Sequence, residues 1–202
     1  RELSDARSQA IEVDRVSDDP PERIEAWLNS VGEDSVRQLD LLLLTDLLRL
    51  EPEPASWRAV ADVATTEIER LTLLGDARRA HELLAAIARE QGPEGREPLK
   101  SAADTSIERL TAGPLVRHVV LQLRKVEDKE VGPFTALCHT LGPIVVRPLA
   151  EAIATEENNR ALRRMRELLL GFGAAGRQFV EQLKNSQNPA VRRTANDLLG
   201  GC

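Results

Sequence analysis

A repeat of about thirty residues is the sequence feature that most limits what this chain can fold into. Three segments of its C-terminal half begin at Gly113, Gly142 and Gly173, so their starts are 29 and 31 residues apart. Each segment holds two amphipathic stretches with apolar residues at helical spacing, separated by a polar turn. The letters ALRR at 161–164 return as AVRR at 190–193. A period of this length indicates stacked helical hairpins, because one hairpin cannot bury its apolar face alone.

The N-terminal half shows helical spacing without a clear period. Leu, Ala, Arg and Glu dominate, there is no Tyr, and aromatic residues make up only 2% of the chain, so the composition favours helix over strand. Prolines, glycines and capping residues predict helices that begin near Pro20, Asp34, Ser56, Asp76 and Glu97. We therefore predict an all-α, right-handed superhelix of about eleven helices, packed as antiparallel hairpins.

The same patterns predict how the chain is divided. Residues 1–19 are acidic and weakly periodic, which predicts a linker or a frayed helix. An irregular helical-hairpin region follows over 20–112, and we expect it to form one continuous domain with the repeats of 113–202. The three repeat units are predicted at about 113–141, 142–172 and 173–201.

The last unit resembles a known repeat family. Its segment 179–200, FVEQLKNSQNPAVRRTANDLLG, is similar to the HEAT repeat, in particular to the short bacterial form found in phycobilisome-lyase-type proteins. The resemblance covers roughly residues 113–201 and implies an α-solenoid with Asp–Arg pairing between repeats. At the turn where the family usually has Asp, this unit has Asn185, Gln187 and Asn188.

Composition also limits where the protein works. No apolar run approaches the roughly 18 residues that span a bilayer, and Cys138 and Cys202 are too few for a disulfide framework. We expect a cytoplasmic protein. Because the chain starts with Arg1 rather than Met, we also expect it to be part of a larger protein, and the resemblance to short bacterial HEAT repeats implies a bacterial one.

One glycine-rich motif suggests a nucleotide site. The segment GFGAAG at 171–176 matches the G-x-G-x-x-G fingerprint, and Asp197 follows about twenty residues later. The fingerprint requires a strand before the glycines, whereas ALRRMRELLL at 161–170 has helical spacing. The segment therefore predicts a helix terminus, and we expect no nucleotide cofactor.

The histidines and cysteines give no pattern for a metal or a nucleophile. His81, His118 and His139 are not spaced as metal ligands. Cys138 and His139 are adjacent and so point to different faces of a helix, which predicts a packed Cys beside a half-exposed His. We expect no catalytic residue, no metal and no cofactor.

Charge is distributed unevenly along the chain. Residues 1–112 carry a net charge of −10 and residues 113–202 a net charge of +4, and Arg accounts for 23 of the 27 basic residues. Stacked repeats would align the arginines of successive second helices into a ladder suited to carboxylate or phosphate groups. Our candidate partner-binding residues are Arg160, Arg163, Arg164, Arg192 and Arg193. In the alternative interpretation their side chains pack between repeats and pair with Glu156, Glu157, Glu167 or Asp197.

These patterns favour a binding role. A curved helical array offers a long surface with little depth, which suits an extended partner better than an enclosed substrate. We predict a non-enzymatic interaction scaffold or regulatory module with a protein partner, and the arginine ladder would suit an acidic one. Two alternatives stay open: a repeat-built protein that binds nucleic acid or resembles lyases and glycosylases, and a structural domain that packs on another domain of its own chain. The low pI of about 5.3 and the few aromatics disfavour nucleic acid.

Overall fold

The computed structural model describes residues 38–200, which contain helices and no β-strand. The chain divides into two compact units, Arg1–Leu43 and Leu44–Cys202. The helix predicted to begin near Pro20 lies outside the described residues. Ten α-helices follow along the described chain: α1 (38–50), α2 (Pro54–Leu74), α3 (Ala77–Ala88), α4 (Lys100–Ala112), α5 (Leu115–Leu123), α6 (Val131–Leu141), α7 (Val146–Thr155), α8 (Asn159–Leu170), α9 (Gly173–Leu183) and α10 (Pro189–Gly200).

Local sequence signals set the ends of these helices. Glu53, rather than the expected Ser56, caps α2, because its carboxylate accepts a hydrogen bond from the backbone N–H of Ser56. Gly75 ends α2 in the left-handed conformation at φ 90°, where a side chain would be strained. Asp76 then caps α3 as predicted, through the N–H of Arg79.

The helices pack as hairpins that stack in sequence order, so the all-α superhelix of hairpins is confirmed. Helices α5 and α6 form the first hairpin, α7 and α8 the second, and α9 and α10 the third. The first hairpin lies against α2 and α3, with α5 on α2 and α6 on α3. The second hairpin packs on the first, and the third packs on the second through α7. The hairpins fall within 113–141, 142–172 and 173–201.

The core follows the seams between hairpins. Large side chains with almost no exposure line it from α2 to α8: Trp57, Ile68, Leu84, Leu115, Phe134, Leu149 and Met165. Polar side chains join helices within this core. The amide of Gln122 on α5 donates to the backbone carbonyl of Leu73 at the end of α2. His81 on α3 lies 2.8 Å from the hydroxyl of Thr140 on α6.

A buried ion pair between Glu90 and Arg96 anchors the C-terminal end of α1. Glu90 is 3% exposed and binds the guanidinium of Arg96 through both of its oxygens. The same guanidinium donates to the carbonyls of Leu48 and Glu51, where α1 ends. Trp57 also donates to the carbonyl of Leu48. The carbonyls of Leu48 in the last turn of α1 and of Glu51 just beyond it thereby gain donors from outside the helix.

Candidate partner-binding groove

The five arginines predicted as a ladder have different environments. Arg164 is 3% exposed and lies inside the seam between the first and second hairpins. Its guanidinium donates to the carbonyls of Leu123 and Val126 and to the carboxylate of Asp128. Arg164 therefore belongs to the core, and its guanidinium is not exposed for contact with a partner.

Arg160 and Arg192 are also held by the fold, though less completely. Arg160 lies 3.4 Å from Asp128, and hydrogen bonds from Arg164 and then Arg160 lower the pKa of that carboxyl. Arg192 is half-buried and donates to the carbonyls of Ser186 and Gln187, in the turn of its own hairpin. Its partners are backbone carbonyls, whereas the sequence interpretation considered only acidic side chains.

Arg163 and Arg193 project from the surface. Arg163 makes one long contact of 3.9 Å with Glu167 on the same helix, and its side chain is 64% exposed. Arg193 is exposed, and the described residues give it no ion-pair partner. The structure thus brings Arg160 and Arg164 together at Asp128 and does not join all five arginines into one ladder.

The concavity lies elsewhere, between the first helices of successive hairpins. A groove with about 860 Å3 of open space runs between α5 and α7, beside the end of α4; we call it the α5–α7 groove. Arg124, just after α5, binds Glu156, just after α7, at 2.8 Å, so the C-terminal ends of the two helices lie side by side. The apolar side chains that line the groove are Val116, Val120, Leu121, Ile144, Pro148 and Ala152.

Two of these aliphatic side chains remain in contact with solvent. Leu121 is 37% exposed and Ile144 is 39% exposed. Leu121 lies off the buried face of α5, whose apolar members are Leu115, Val116, Val119, Val120 and Leu123, and Ile144 lies just before α7. Aliphatic surface gathered in a concavity is typical of a binding groove.

Charged side chains form the rims of the groove: Glu108, Arg117, Arg124, Arg147, Glu151 and Glu156. The carboxylate of Glu156 is almost fully buried and is held by Arg124 and by the backbone N–H of Asn158. Burial raises the pKa of Glu156, but these hydrogen bonds outweigh that effect, so the net pKa lies below its ordinary value. Glu156 therefore stays charged at neutral pH and fastens one end of the groove.

A second hollow adjoins the groove on the other side of α7. It has about 700 Å3 of open space, and Ile144, Arg147 and Glu151 line both hollows. Its far wall comes from Phe179 on α9 and from the turn before α10. We call it the α7–α9 hollow. The two hollows thus lie on opposite sides of α7, which separates them.

The glycine-rich segment has the helical setting that the sequence predicted. It joins α8 to α9, and Gly173 opens α9 at φ 57°. Gly176 is buried against Phe172 and the carbonyl of Leu169, where a Cβ would meet atoms at 2.6 and 3.1 Å. The glycines therefore serve a tight helix–helix connection.

Cys138 and the histidines have packing roles. Cys138 is fully buried, and burial raises the pKa of its thiol to about 12. His139 is exposed and its ring lies 4.6 Å from that of Phe172. Within residues 38–200, no group of three or more His, Cys, Asp or Glu side chains could hold a metal ion. No helix of this part of the chain is long and apolar enough to cross a membrane.

Comparison of the chain with protein-family models, with curated proteins and with solved structures gave no match. The fold and the geometry of the groove are therefore the basis for assigning a function.

Sequence reasoning did not single out the α5–α7 groove. Its walls come from residues of three helices, and their separation depends on how far each hairpin rotates on the one before it. Leu121 was the available signal, because it lies outside the apolar stripe of α5. One exposed Leu in a sequence has little weight, since isolated surface aliphatics are common.

Proposed function

We propose that this chain is a non-enzymatic protein-interaction scaffold that holds a segment of a partner protein in the α5–α7 groove. The observation that carries the proposal is the pair of exposed aliphatic side chains, Leu121 and Ile144, in a concavity bounded by charged rims. Interfaces commonly combine an apolar centre with a polar rim. The likeness to short bacterial HEAT repeats supports the same role.

The polar groups of the groove support binding rather than catalysis. Glu156 is committed to Arg124 and Asn158, and Glu151 accepts from Arg147 at 3.2 Å. Among the described residues that line the groove there is no His or Cys. Groups already engaged in ion pairs serve to shape and orient a surface.

In this proposal the exposed side chains of Arg163 on α8 and Arg193 on α10 also contact the partner, outside the groove. Arg163 and Arg193 have heads free of strong internal partners, and Arg160 is partly available. Testing this area requires Arg163→Glu with Arg193→Glu, because changing Arg164 would disrupt the core. The expected outcome is weaker capture of a groove-bound partner with unchanged helicity.

The groove itself is tested with a random peptide library displayed on phage. Peptides selected on the wild-type chain are measured by fluorescence anisotropy against Leu121→Glu and Ile144→Glu. The matched control is Val63→Glu, which changes an exposed aliphatic residue on α2 outside the groove. We expect a loss of about tenfold or more in affinity for each groove variant, or about 1.4 kcal/mol, and little change for the control. Equal binding by all variants, or no selected peptide at all, would contradict the proposal.

A further inference from the structure

Helix α1 is apolar on two opposite sides. Eight of its thirteen residues are leucine. Leu48 is fully buried where Trp57 donates to its carbonyl, and Leu44 is half-buried on the same side of the helix. Three leucines on the opposite side are 57–65% exposed, and we call them the outer leucines of α1: Leu39, Leu42 and Leu43. A helix that is apolar all round is normally covered on every side, so the outer leucines require a packing partner.

The last hairpin shows no such face. The large side chains that α9 and α10 expose to solvent are polar or charged: Arg177, Gln178, Glu181, Gln182, Arg193, Asn196 and Asp197. A polar outer face is what keeps the terminal unit of a stacked array soluble. The outer leucines of α1 therefore have the character of an inner helix rather than of a terminal one.

The residues directly before α1 have the pattern of a matching helix. Segment 20–31, which lies outside the described residues, carries four apolar residues at spacings of three and four: Ile24, Trp27, Leu28 and Val31. This spacing is typical of one apolar stripe along a helix. The compact unit Arg1–Leu43 contains both this segment and the outer leucines. Chain order and composition thus favour segment 20–31 as the packing partner.

The connection between the segment and α1 is short enough to fix their relative direction. Gly32 follows the last apolar residue of the segment, and the sequence predicts that α1 begins near Asp34. Helices joined by about two to five residues pack as antiparallel neighbours.

We propose that segment 20–31 is a helix that packs antiparallel on the outer leucines of α1 and forms a hairpin with it. In this hairpin Leu28 is opposite Leu39 and Ile24 is opposite Leu43, because the two members of each pair are equally distant from the connection. The inference does not depend on the proposed function, since the outer leucines lie outside the α5–α7 groove.

The packing partner is a segment of the same chain rather than a second copy. A short connection holds the segment near α1 at an effective concentration of about 1 mM, which a second copy at micromolar concentration does not reach. Asp46 gives another reason, because it is exposed on the same side of α1, about one turn beyond Leu43. Two copies packed along the whole of α1 would bury both Asp46 carboxylates in an apolar seam, which is unfavourable. The apolar stripe of segment 20–31 stops at Ile24, opposite Leu43, so Asp46 stays in water.

The first test links the two helices by a disulfide in the full chain. Leu28→Cys is combined with Leu39→Cys in a Cys202→Ser background, and the matched control combines Leu28→Cys with Leu50→Cys. Leu50 is also exposed on α1 but lies beyond the segment in the proposed hairpin. Cys138 is fully buried and does not compete. Facing positions of packed helices come within the roughly 7 Å between Cα atoms that a disulfide allows.

Both double variants are treated with oxidised glutathione at about 1 μM protein, and mass spectrometry of digests identifies the linked peptides. We expect the pair at 28 and 39 to link within one chain about tenfold faster than the control pair, or more. Equal rates for the two pairs would overturn the proposal. A link between two chains whose yield rises with protein concentration would assign the outer leucines to a second copy and would also overturn it.

The second test measures the environment of Trp27, one of the two Trp residues of the chain. Subtracting the emission of a Trp27→Phe variant isolates its signal from that of Trp57. We expect acrylamide to quench Trp27 about threefold less than in the chain unfolded in urea, because the outer leucines shield the indole from water. Leu42→Glu should raise quenching to the unfolded value, and the control Leu50→Glu should leave it unchanged.

The two tests use different variants, so a variant that fails to fold in one leaves the other decisive. Circular dichroism of each variant shows whether the helical array is intact. In an intact array, a Trp27 quenched as strongly as in urea, or one that does not respond to Leu42→Glu, would reject the packing of segment 20–31 on α1.

Discussion

Arg164 on α8 reaches back across a hairpin boundary to the carboxylate of Asp128, in the turn between α5 and α6. This pair joins the second hairpin to the first. The same guanidinium also binds the carbonyl of Leu123, the last residue of α5, and that of Val126 just beyond the helix. The side chain of Arg164 thus both caps the C-terminal end of α5 and joins the first hairpin to the second.

Removing this side chain should destabilise the protein strongly. We expect Arg164→Ala to lower the free energy of unfolding by about 2–4 kcal/mol, because it leaves two buried carbonyls without donors and opens a cavity. Urea denaturation followed by circular dichroism at 222 nm measures the change. Arg163→Ala on the same helix is the control and should stay within about 0.5 kcal/mol of wild type. Equal effects of the two substitutions would contradict the structural role of Arg164.

The Glu90–Arg96 pair should give the protein an acid-sensitive stability. Burial raises the pKa of Glu90, but hydrogen bonds from the side chain and backbone of Arg96 outweigh it, so the net pKa lies below its ordinary value. The folded state therefore binds fewer protons than the unfolded one. The stabilisation is complete above the unfolded pKa, about 4.3, and is lost as pH falls through the folded pKa.

We expect the variant Glu90→Gln to be about 2 kcal/mol less stable than wild type at pH 7. The difference should shrink as the pH is lowered below about 4, because the wild-type carboxyl then takes up a proton. Urea unfolding at pH 7, 5, 4 and 3 measures both trends. Glu94→Gln, an exposed neighbour, is the control. A gap that stays constant down to pH 3 would show that the charge of Glu90 is not what stabilises the fold.

Two glycine-to-alanine substitutions should have opposite effects. At Gly176 a Cβ would lie 2.6 Å from the Cβ of Phe172, so Gly176→Ala should cost about 1–3 kcal/mol. At Gly132, in the first turn of α6, nothing lies within 4 Å of the added Cβ, and Gly132→Ala should gain about 0.4–1 kcal/mol. The melting temperatures of both variants test the pair. A gain at Gly176 would mean that Phe172 moves freely.

The thiol of Cys138 should be inert in the folded protein. It is fully buried and burial raises its pKa to about 12, so the thiolate that reacts with disulfide reagents is scarce. In a Cys202→Ser background, we expect labelling with Ellman's reagent at pH 8 to be at least about a hundredfold slower than for the chain unfolded in urea. Rapid labelling of the native chain would show that the seam around α6 opens locally.

Helical periodicity carried the fold prediction because each hairpin buries a stripe that the sequence displays. The start of α3 at its cap Asp76 followed from the local capping signals of the sequence. Periodicity also held a signal for Arg164, which falls on the buried stripe of α8 with Ala161, Met165 and Leu168. Reading it as part of a surface ladder gave too much weight to its match with the AVRR segment of the next repeat.

The groove could not be predicted in the same way. Its depth depends on the rotation between hairpins, which is set by many small packing contacts across the seams rather than by any one residue. Which charged side chains on its rims are exposed to solvent also could not be predicted from the sequence. From the sequence, Glu156 would be taken for an exposed surface carboxylate. In the structure its side chain is buried beside Arg124 and is not available to a partner.

The capping of α5 by Arg164 has a consequence for how such an array can evolve or be engineered. Deleting the second hairpin would remove the guanidinium that binds the carbonyl of Leu123, so the C-terminal end of α5 in the first hairpin depends on its neighbour being present.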